Sequence, residues 1–346
     1  HSLCSYQGKL KPAIAHFLVQ NFTNIGDVVL DPLSGAGTIP LEAFLSGRKA
    51  IANDLQELGY ILSCAKVGKP SPDKVIKELD RFINYIHDNK LQSPTDVDKY
   101  KDFGLNGRIS DYFHEDNLLE VLAARKYILS NKCNSVERAL VFASFLHILH
   151  GNRPYALSRN SHPVTPFKPS GGFVYKDIKD RLYSKVSRAL CAYENDNIIN
   201  GAAWLGSYEA LELNNQVDAV ITSPPFAEST RFYSAKWLRL WMAGWEPENF
   251  KNKKKSFLEE KQKKSLDIYS DFFDKCHKWL KPNGKLILHL GKTKKVDMAQ
   301  ELSNRCYKHF ELVHTFDESV TNSEKFGIRD QGATLAHQYL FLIKKT

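Results

Sequence analysis

The stretch Asp31-Pro32-Leu33-Ser34-Gly35-Ala36-Gly37-Thr38 constrains the fold more than any other part of the chain. A short β-branched run over 27–30 leads straight into it, and a helix-patterned run over 39–45 leaves it at once. Strand, glycine turn and helix in immediate succession are the opening of a parallel, doubly wound sheet. Gly35 and Gly37 let the backbone take strained dihedrals and let a ligand come close to the chain. The amides that open the following helix then suit a polar or anionic group. A second strand over 48–52 ends in Asn53-Asp54, and Asp54 follows Asp31 by 23 positions. An acid at that spacing past a glycine turn is placed to accept hydrogen bonds from ribose hydroxyls, with a cap on the helix predicted over 56–65 as the lesser alternative. The full GxGxxG of a dinucleotide fold is absent, because Thr38, Ile39 and Pro40 follow Gly37. Gly291-Lys292-Thr293 is no P-loop either, since position 286 is Leu rather than Gly.

The α/β rhythm stops at Gly68-Lys69-Pro70-Ser71-Pro72. From there to about residue 200 the pattern is mostly helical, with helices predicted over 75–88, 117–130, 136–149 and 175–192. A long segment over 151–172, rich in Pro, Ser, Gly and Arg, separates the last two, and a loop of that length in a compact chain usually carries function or is disordered. The rhythm resumes with a buried-strand run over 217–222, a Pro-Asn-Gly turn before a strand over 286–290, and a final strand over 337–343. The expected architecture is therefore α/β, a doubly wound Rossmann-like sheet built from residues 1–69 and 201–346, with 70–200 as a mostly helical insertion. The run 251–264 holds seven lysines and reads as a solvated surface, with phosphate contact as the other possibility.

At the end of the 217–222 strand stands Ser223-Pro224-Pro225-Phe226. Two prolines fix the chain there and offer no amide hydrogens, so nearby carbonyls are left as acceptors. A hydroxyl and a carbonyl in such a turn can hold both hydrogens of an amine and aim its lone pair at an electrophile. Phe226 adds a face on which a planar ring can stack.

The pair formed by Asp31–Thr38 and Ser223–Phe226 resembles the amino-methyltransferases of DNA, which modify cytosine N4 or adenine N6. Tyr6-Gln7-Gly8-Lys9 resembles that family's N-terminal cofactor motif, 48–54 its second strand and ribose-binding acid, and 280–291 its later core segment. The resemblance covers roughly residues 5–68 and 200–345. It implies S-adenosylmethionine as cofactor, held by Tyr6, Lys9, Asp31, Leu33, Ser34, Gly35, Gly37, Thr38, Asp54 and Leu55. It implies Ser223, Pro224, Pro225 and Phe226 as the catalytic group, and Ser at the motif's head leans toward cytosine N4. It implies double-stranded DNA with a flipped base as substrate, and a nuclease partner in a restriction-modification system as a possibility. Where the family has a Gly-Asp pair against the cofactor's adenine, this chain has Gly206-Ser207, which puts the contact of Ser207 in doubt. No Pro-Cys pair exists, which argues against cytosine-C5 chemistry. A second resemblance stays open: Gly37-Thr38-Ile39-Pro40-Leu41-Glu42-Ala43 is similar to guanine-N2 RNA methyltransferases. A binding module on the same scaffold is the reading from a different class, and the intact motifs weigh against it.

Target recognition is expected in the insertion, where Arg153, Tyr155, Arg159 and His162 lie in the long loop. Arginine can read guanine or hold phosphate, and it can as easily cap helix ends. The net charge of +9 fits a polyanionic partner and fits plain solubility equally. Six scattered cysteines without a CxxC pair argue against zinc and disulfides, and His147 and His150 lack a third ligand nearby, so no metal is expected. No apolar run reaches the ~18 residues of a membrane span. The expected location is the cytoplasm of a prokaryote or the nucleus of a eukaryote rather than outside the cell. The chain opens on His1 rather than Met, which leaves targeting open.

Overall fold

The computed structural model describes residues 1–90, 107–191, 199–228, 232–320, 324–325, 328–329 and 334–345. Helix α1 (Pro12–Phe22) leads into β1 (Val28–Asp31), the glycine turn, α2 (Thr38–Leu45), β2 (Lys49–Asp54) and α3 (Glu57–Cys64). A helical stretch follows: α4 (Pro72–Asp88), α5 (Glu115–Ser130), α6 (Val136–Leu149) and α7 (Ile178–Leu190). The last residue expected in that fourth helix, 192, lies outside the described residues. The chain then returns through β3 (Ala202–Leu205) and β4 (Val217–Thr222). Short helices α8 (Phe232–Ala235), α9 (Trp237–Met242), α10 (Pro247–Asn252) and α11 (Leu258–Lys261) precede α12 (Ile268–Trp279). Next come β5 (Leu280–Lys292), α13 (Met298–Cys306), β6 (Phe310–Ser319), the small hairpin β7 (Glu324–Lys325) and β8 (Ile328–Arg329), and β9 (Ala336–Lys344).

The main sheet has seven strands in the order β3-β2-β1-β4-β5-β9-β6. Strands β3, β2, β1, β4 and β5 pair in parallel, and β9 runs antiparallel to both β5 and β6. The chain winds outward from β1 to β3 and then restarts inward at β4. The strand order therefore switches between β1 and β4, and ligands of open α/β sheets bind at the carboxyl ends of strands beside such a switch. The predicted Pro-Asn-Gly turn is present as a bulge inside β5, where Asn283 takes φ of 59° and the register to β4 slips. β3 and β6 were not expected: β3 is four residues long and half-exposed, and β6 is exposed along nearly its whole length, so neither carries a buried-strand signature.

Two apolar layers line the sheet, one around Leu30, Val220, Phe272 and Leu288, the other around Leu18, Val29, Phe44 and Ile287. The helices of 72–190 form a third core with α3 and α9, in which Phe82, Phe142 and Phe145 join Trp237 and Trp241. The segment just past the Ser-Pro-Pro-Phe turn thus belongs to the helical core. Arg239 makes the tie polar as well: its buried guanidinium donates to the carbonyls of Leu146, His150 and Val164. Trp237 also donates to Pro166, so the turn and the long loop share one anchor.

Candidate functional site

Asp31 and Thr222 end the two strands that flank the switch, and Thr222 Oγ1 donates to Asp31 Oδ1 at 2.6 Å. The Leu33 amide donates to the same oxygen at 3.2 Å, leaving Oδ2 without a partner among the described residues. Burial pushes the Asp31 carboxyl up to about 7 against these two hydrogen bonds. Between its usual 3.8 and about 7 the folded chain keeps a proton that the unfolded chain has lost. The stability that this group contributes is complete at low pH and is eroded as pH rises through that window. An Asp31→Asn variant keeps the Oδ1 acceptor and loses the buried charge. It is expected to melt several degrees higher than the parent at about pH 8, with no difference at about pH 4, in thermal melts without cofactor. A lower melting point at the higher pH would contradict this account.

The glycine turn is held from beneath. Gly35 and Gly37 have φ of 51° and 66°, in the left-handed region that glycine alone takes cheaply. A Cβ on Gly37 would meet Ser63 and Lys66 within 3.0–3.3 Å. Ser34 donates its amide to Asn53 O and shares a 2.9 Å hydrogen bond with Ser63 Oγ. Buried Lys66 donates to the Ala36 carbonyl, and burial lowers its ammonium to about 7. Thr38 Oγ1 is buried with no hydrogen-bond partner.

Asp54 accepts the Gly35 amide on one oxygen and the Gln56 amide on the other, each at 2.7 Å. The capping alternative is therefore present, but one of the two bonds reaches across to the glycine turn. Gly59 gives the carboxylate room, since a Cβ there would lie 2.4 Å from Asp54 Cγ. Asn53 donates to the carbonyls of Pro32 and Gly206, and the Gly206 amide donates to Asp54 O. Gly206-Ser207 therefore lies beside Asp54. Ser207 spends its hydroxyl on Glu209, accepting from its amide and donating to its carboxylate. Leu33 and Leu55 are half-buried, packed against the sheet layer and the helical core respectively.

Tyr6 closes over the turn: a Cβ on Gly35 would lie 3.3 Å from its hydroxyl. The ammonium of buried Lys236 sits 3.3 Å from the centre of the Tyr6 ring, with Asp54 and Glu259 favouring its charge and burial opposing it. Lys9 donates to His1 O at 3.1 Å and lies near enough to Lys66 to oppose its charge.

The Ser223–Phe226 turn is fixed on all sides. Gln262 donates to the carbonyls of Pro225 and Phe226, both at 3.1 Å, and accepts from Tyr269. The Pro224 carbonyl keeps no partner among the described residues. Ser223 Oγ lies 2.9 Å from His289 Nδ1, and Phe226 packs against His289, His337 and Gly291. Gln262 corrects the reading of 251–264 as solvated: Phe257, Leu258, Glu259 and Gln262 point inward while most of the lysines stay on the outer faces. A lysine-rich composition hid a helical stripe only one turn long. His289 had a visible signal, a lone imidazole inside the apolar run Leu286-Ile287-Leu288-His289-Leu290, whereas Lys66, Lys236 and His337 had none.

The loop residues divide. Arg153 is exposed. Tyr155 stacks on His147 at 4.5 Å. Arg159 donates to Gly171 O and Asp111 O and lies 4.1 Å over the Phe173 ring, and His162 accepts the amides of Val164 and Thr165. Three of the four therefore shape the loop. Burial lowers His147 to about 2 and His150 to about 3. All six cysteines are free. Among the described residues no cluster of three or more His, Cys, Asp or Glu could hold a metal, and no helix is long and apolar enough to cross a membrane.

An α/β sheet with a glycine turn and an acid at neighbouring strand ends is the arrangement that suits a nucleotide cofactor. The chain belongs to the Eco57I restriction-modification methylase family, whose profile matches residues 124–309, more than half its length. A second profile, the RMKL-like methyltransferase domain, matches residues 2–91. The protein is thus an S-adenosylmethionine-dependent methyltransferase. It is similar to the Type II methyltransferase M.MjaII of Methanocaldococcus jannaschii, 24% identical over 133 residues. That match covers 38% of this chain and only 22% of the relative. Among solved structures it is similar to TrmN from Thermus thermophilus, at 14% identity and a TM-score of 0.34, covering 98% of this chain and 50% of that one. It is similar also to the rRNA methyltransferase aviRa from Streptomyces viridochromogenes, at 10% identity and a TM-score of 0.38, covering 99% and 88%.

The residues present fit the cofactor. Two left-handed glycines open the backbone, Asp31 Oδ2 and Thr38 Oγ1 are unpartnered, and Asp54 keeps a second lone pair on each oxygen.

Proposed function

We propose that this enzyme methylates the exocyclic amino group of a base flipped out of double-stranded DNA, with cytosine N4 as the target. The observation that carries this reading is the Ser223–Phe226 turn at the carboxyl end of β4, beside Asp31. A hydroxyl and an unpartnered Pro224 carbonyl stand together there, next to an aromatic face. S-adenosylmethionine supplies a methyl group made electrophilic by its sulfonium. Gly35, Gly37 and Asp54 hold that cofactor in this reading, with Tyr6 closing over it. The target base must leave the stack for its amine to reach the site. Ser223 and the Pro224 carbonyl then orient the amine, and Phe226 stacks on the ring. Positioning of this kind is worth about 7–11 kcal/mol when geometry is right, and no covalent nucleophile is needed.

Recognition falls to the helical segment 70–200, with Arg153 as the loop side chain open to a phosphate or a guanine. A nuclease partner follows from the restriction-modification family as a further part of the proposal.

An RNA base as substrate is the second reading, favoured by the resemblance of Gly37-Thr38-Ile39-Pro40-Leu41-Glu42-Ala43 to guanine-N2 RNA methyltransferases. Incubation with labelled S-adenosylmethionine and either duplex DNA or RNA, followed by nucleoside mass spectrometry, separates the readings. The expected product is N4-methylcytosine in DNA. Label on adenine N6 would overturn the base, label in RNA alone the substrate class, and no label in either would point to a binding module.

A further inference from the structure

We propose that His289 and His337 form a relay that carries the amine's departing proton away from Ser223, an inference resting on the amine-methylation reading above. Three neighbouring strands supply its members: Ser223 just past β4, His289 on β5 and His337 on β9. Ser223 Oγ is 2.9 Å from His289 Nδ1, and His289 Nε2 is 2.9 Å from His337 Nδ1. The two imidazole planes lie 21° apart with centroids 4.9 Å apart, so a ring N–H on one can point at the lone pair of the other. Phe226 packs on both rings, at 5.3 and 5.9 Å, which ties the relay to the surface offered to the base.

The chemistry needs such an outlet. As the base nitrogen forms its bond to the methyl carbon, the carbon–sulfur bond breaks and the sulfonium charge is discharged. The nitrogen is left with one proton too many. A serine hydroxyl can take that proton only by giving up its own, and His289 Nδ1 is the acceptor within reach. His289 then releases its Nε2 proton to His337 Nδ1, and His337, half-buried, returns a proton to water. His289 is suited to passing a proton rather than storing it. Burial, aided by His337 and Lys11, holds its imidazole well below its usual value. The other titratable groups near the pair are Tyr339, whose ring is 5.3 Å from His289, and Glu318, paired in register with His337 and bonded by the Tyr339 hydroxyl. Both histidines act through Ser223 and are positioning residues.

The test combines a spectroscopic and a kinetic readout on the full chain. Side-chain ¹⁵N NMR without nucleic acid is expected to find His289 bare at Nδ1 and protonated at Nε2. A Ser223→Ala variant should shift the His289 ring signals and, through them, those of His337. His337→Phe keeps an aromatic ring in the half-buried position and cannot carry a proton. It is expected to bind S-adenosylmethionine within about two-fold of the parent by calorimetry, to turn over about ten-fold or more slowly, and to change the pH–rate profile. His289→Asn keeps an acceptor near Ser223 without a second ring nitrogen and should be slow in the same way. A proton on His289 Nδ1, or His337→Phe turnover within about two-fold of the parent at every pH, overturns the relay. The expected ring pattern in an enzyme that methylates adenine or RNA would instead overturn the cytosine reading and leave the relay standing.

Discussion

An Asp54→Ala variant is expected to bind S-adenosylmethionine about 30-fold or more weakly while remaining folded. The Asp54 carboxylate gathers the Gly35 and Gln56 amides at 2.7 Å each, so it shapes the glycine turn as well as presenting its own oxygens. Hydrogen bonds to a charged group contribute about 1.5–3 kcal/mol each, and each 1.4 kcal/mol is ten-fold in affinity. Loss of the proposed ribose contacts alone accounts for the expected weakening, and a relaxed glycine turn adds to it. Folding should suffer less, because burial already raises the carboxyl above its usual value and so works against the folded chain without cofactor. Asp54→Asn, with one acceptor oxygen instead of two, should fall between the two. Calorimetric titration of the three proteins, with melting curves alongside, checks the order. A dissociation constant for the alanine variant within about three-fold of the parent would remove Asp54 from the cofactor site.

The parts of this site legible in the sequence are those whose chemistry is local. Asp31–Thr38 announces its strand, turn and helix because glycine conformation and capping act over a few residues, and the structure has that succession at that place. Asp54 could be picked out because a βαβ unit fixes its distance from the turn, and its bond to Gly35 spans the gap. Residues brought in by tertiary folding left no local trace. Gln262, 36 positions beyond Phe226, holds the turn's carbonyls from inside a lysine-rich run. Lys236 stacks on Tyr6 from between α8 and α9, past the Ser223–Phe226 turn, and His337 reaches His289 only because β9 inserts between β5 and β6. Arg159 and His162 left two roles open in the sequence, nucleic-acid contact or support of the loop, and here Arg159 bonds to Gly171 O and Asp111 O while His162 accepts the amides of Val164 and Thr165.

Ser223→Ala is expected to lower turnover about 10²–10³-fold while cofactor affinity stays within about two-fold. The hydroxyl stands at the head of the turn, and its 2.9 Å contact with His289 Nδ1 fixes where its lone pairs point. In the proposed reaction its interaction with the amine strengthens as positive charge develops on the nitrogen, so its loss falls on the transition state rather than on the bound ground state. The kinetic signature follows: kcat and kcat/KM drop together and KM is nearly unchanged. The Pro224 carbonyl remains as a second acceptor, which keeps the residual rate above that of the uncatalysed reaction. Removing the hydroxyl also strips buried His289 of a partner, at a cost of about 1–3 kcal/mol to folding. A fall in melting temperature is therefore expected and does not by itself explain slow turnover, so single-turnover rates should be measured well below the variant's melting point. Ser223→Thr, which restores a hydroxyl at the price of a methyl group, should recover a large part of the rate. Near-parental turnover in the alanine variant, or a rise in KM with kcat intact, would mean that the amine is held elsewhere in the cleft.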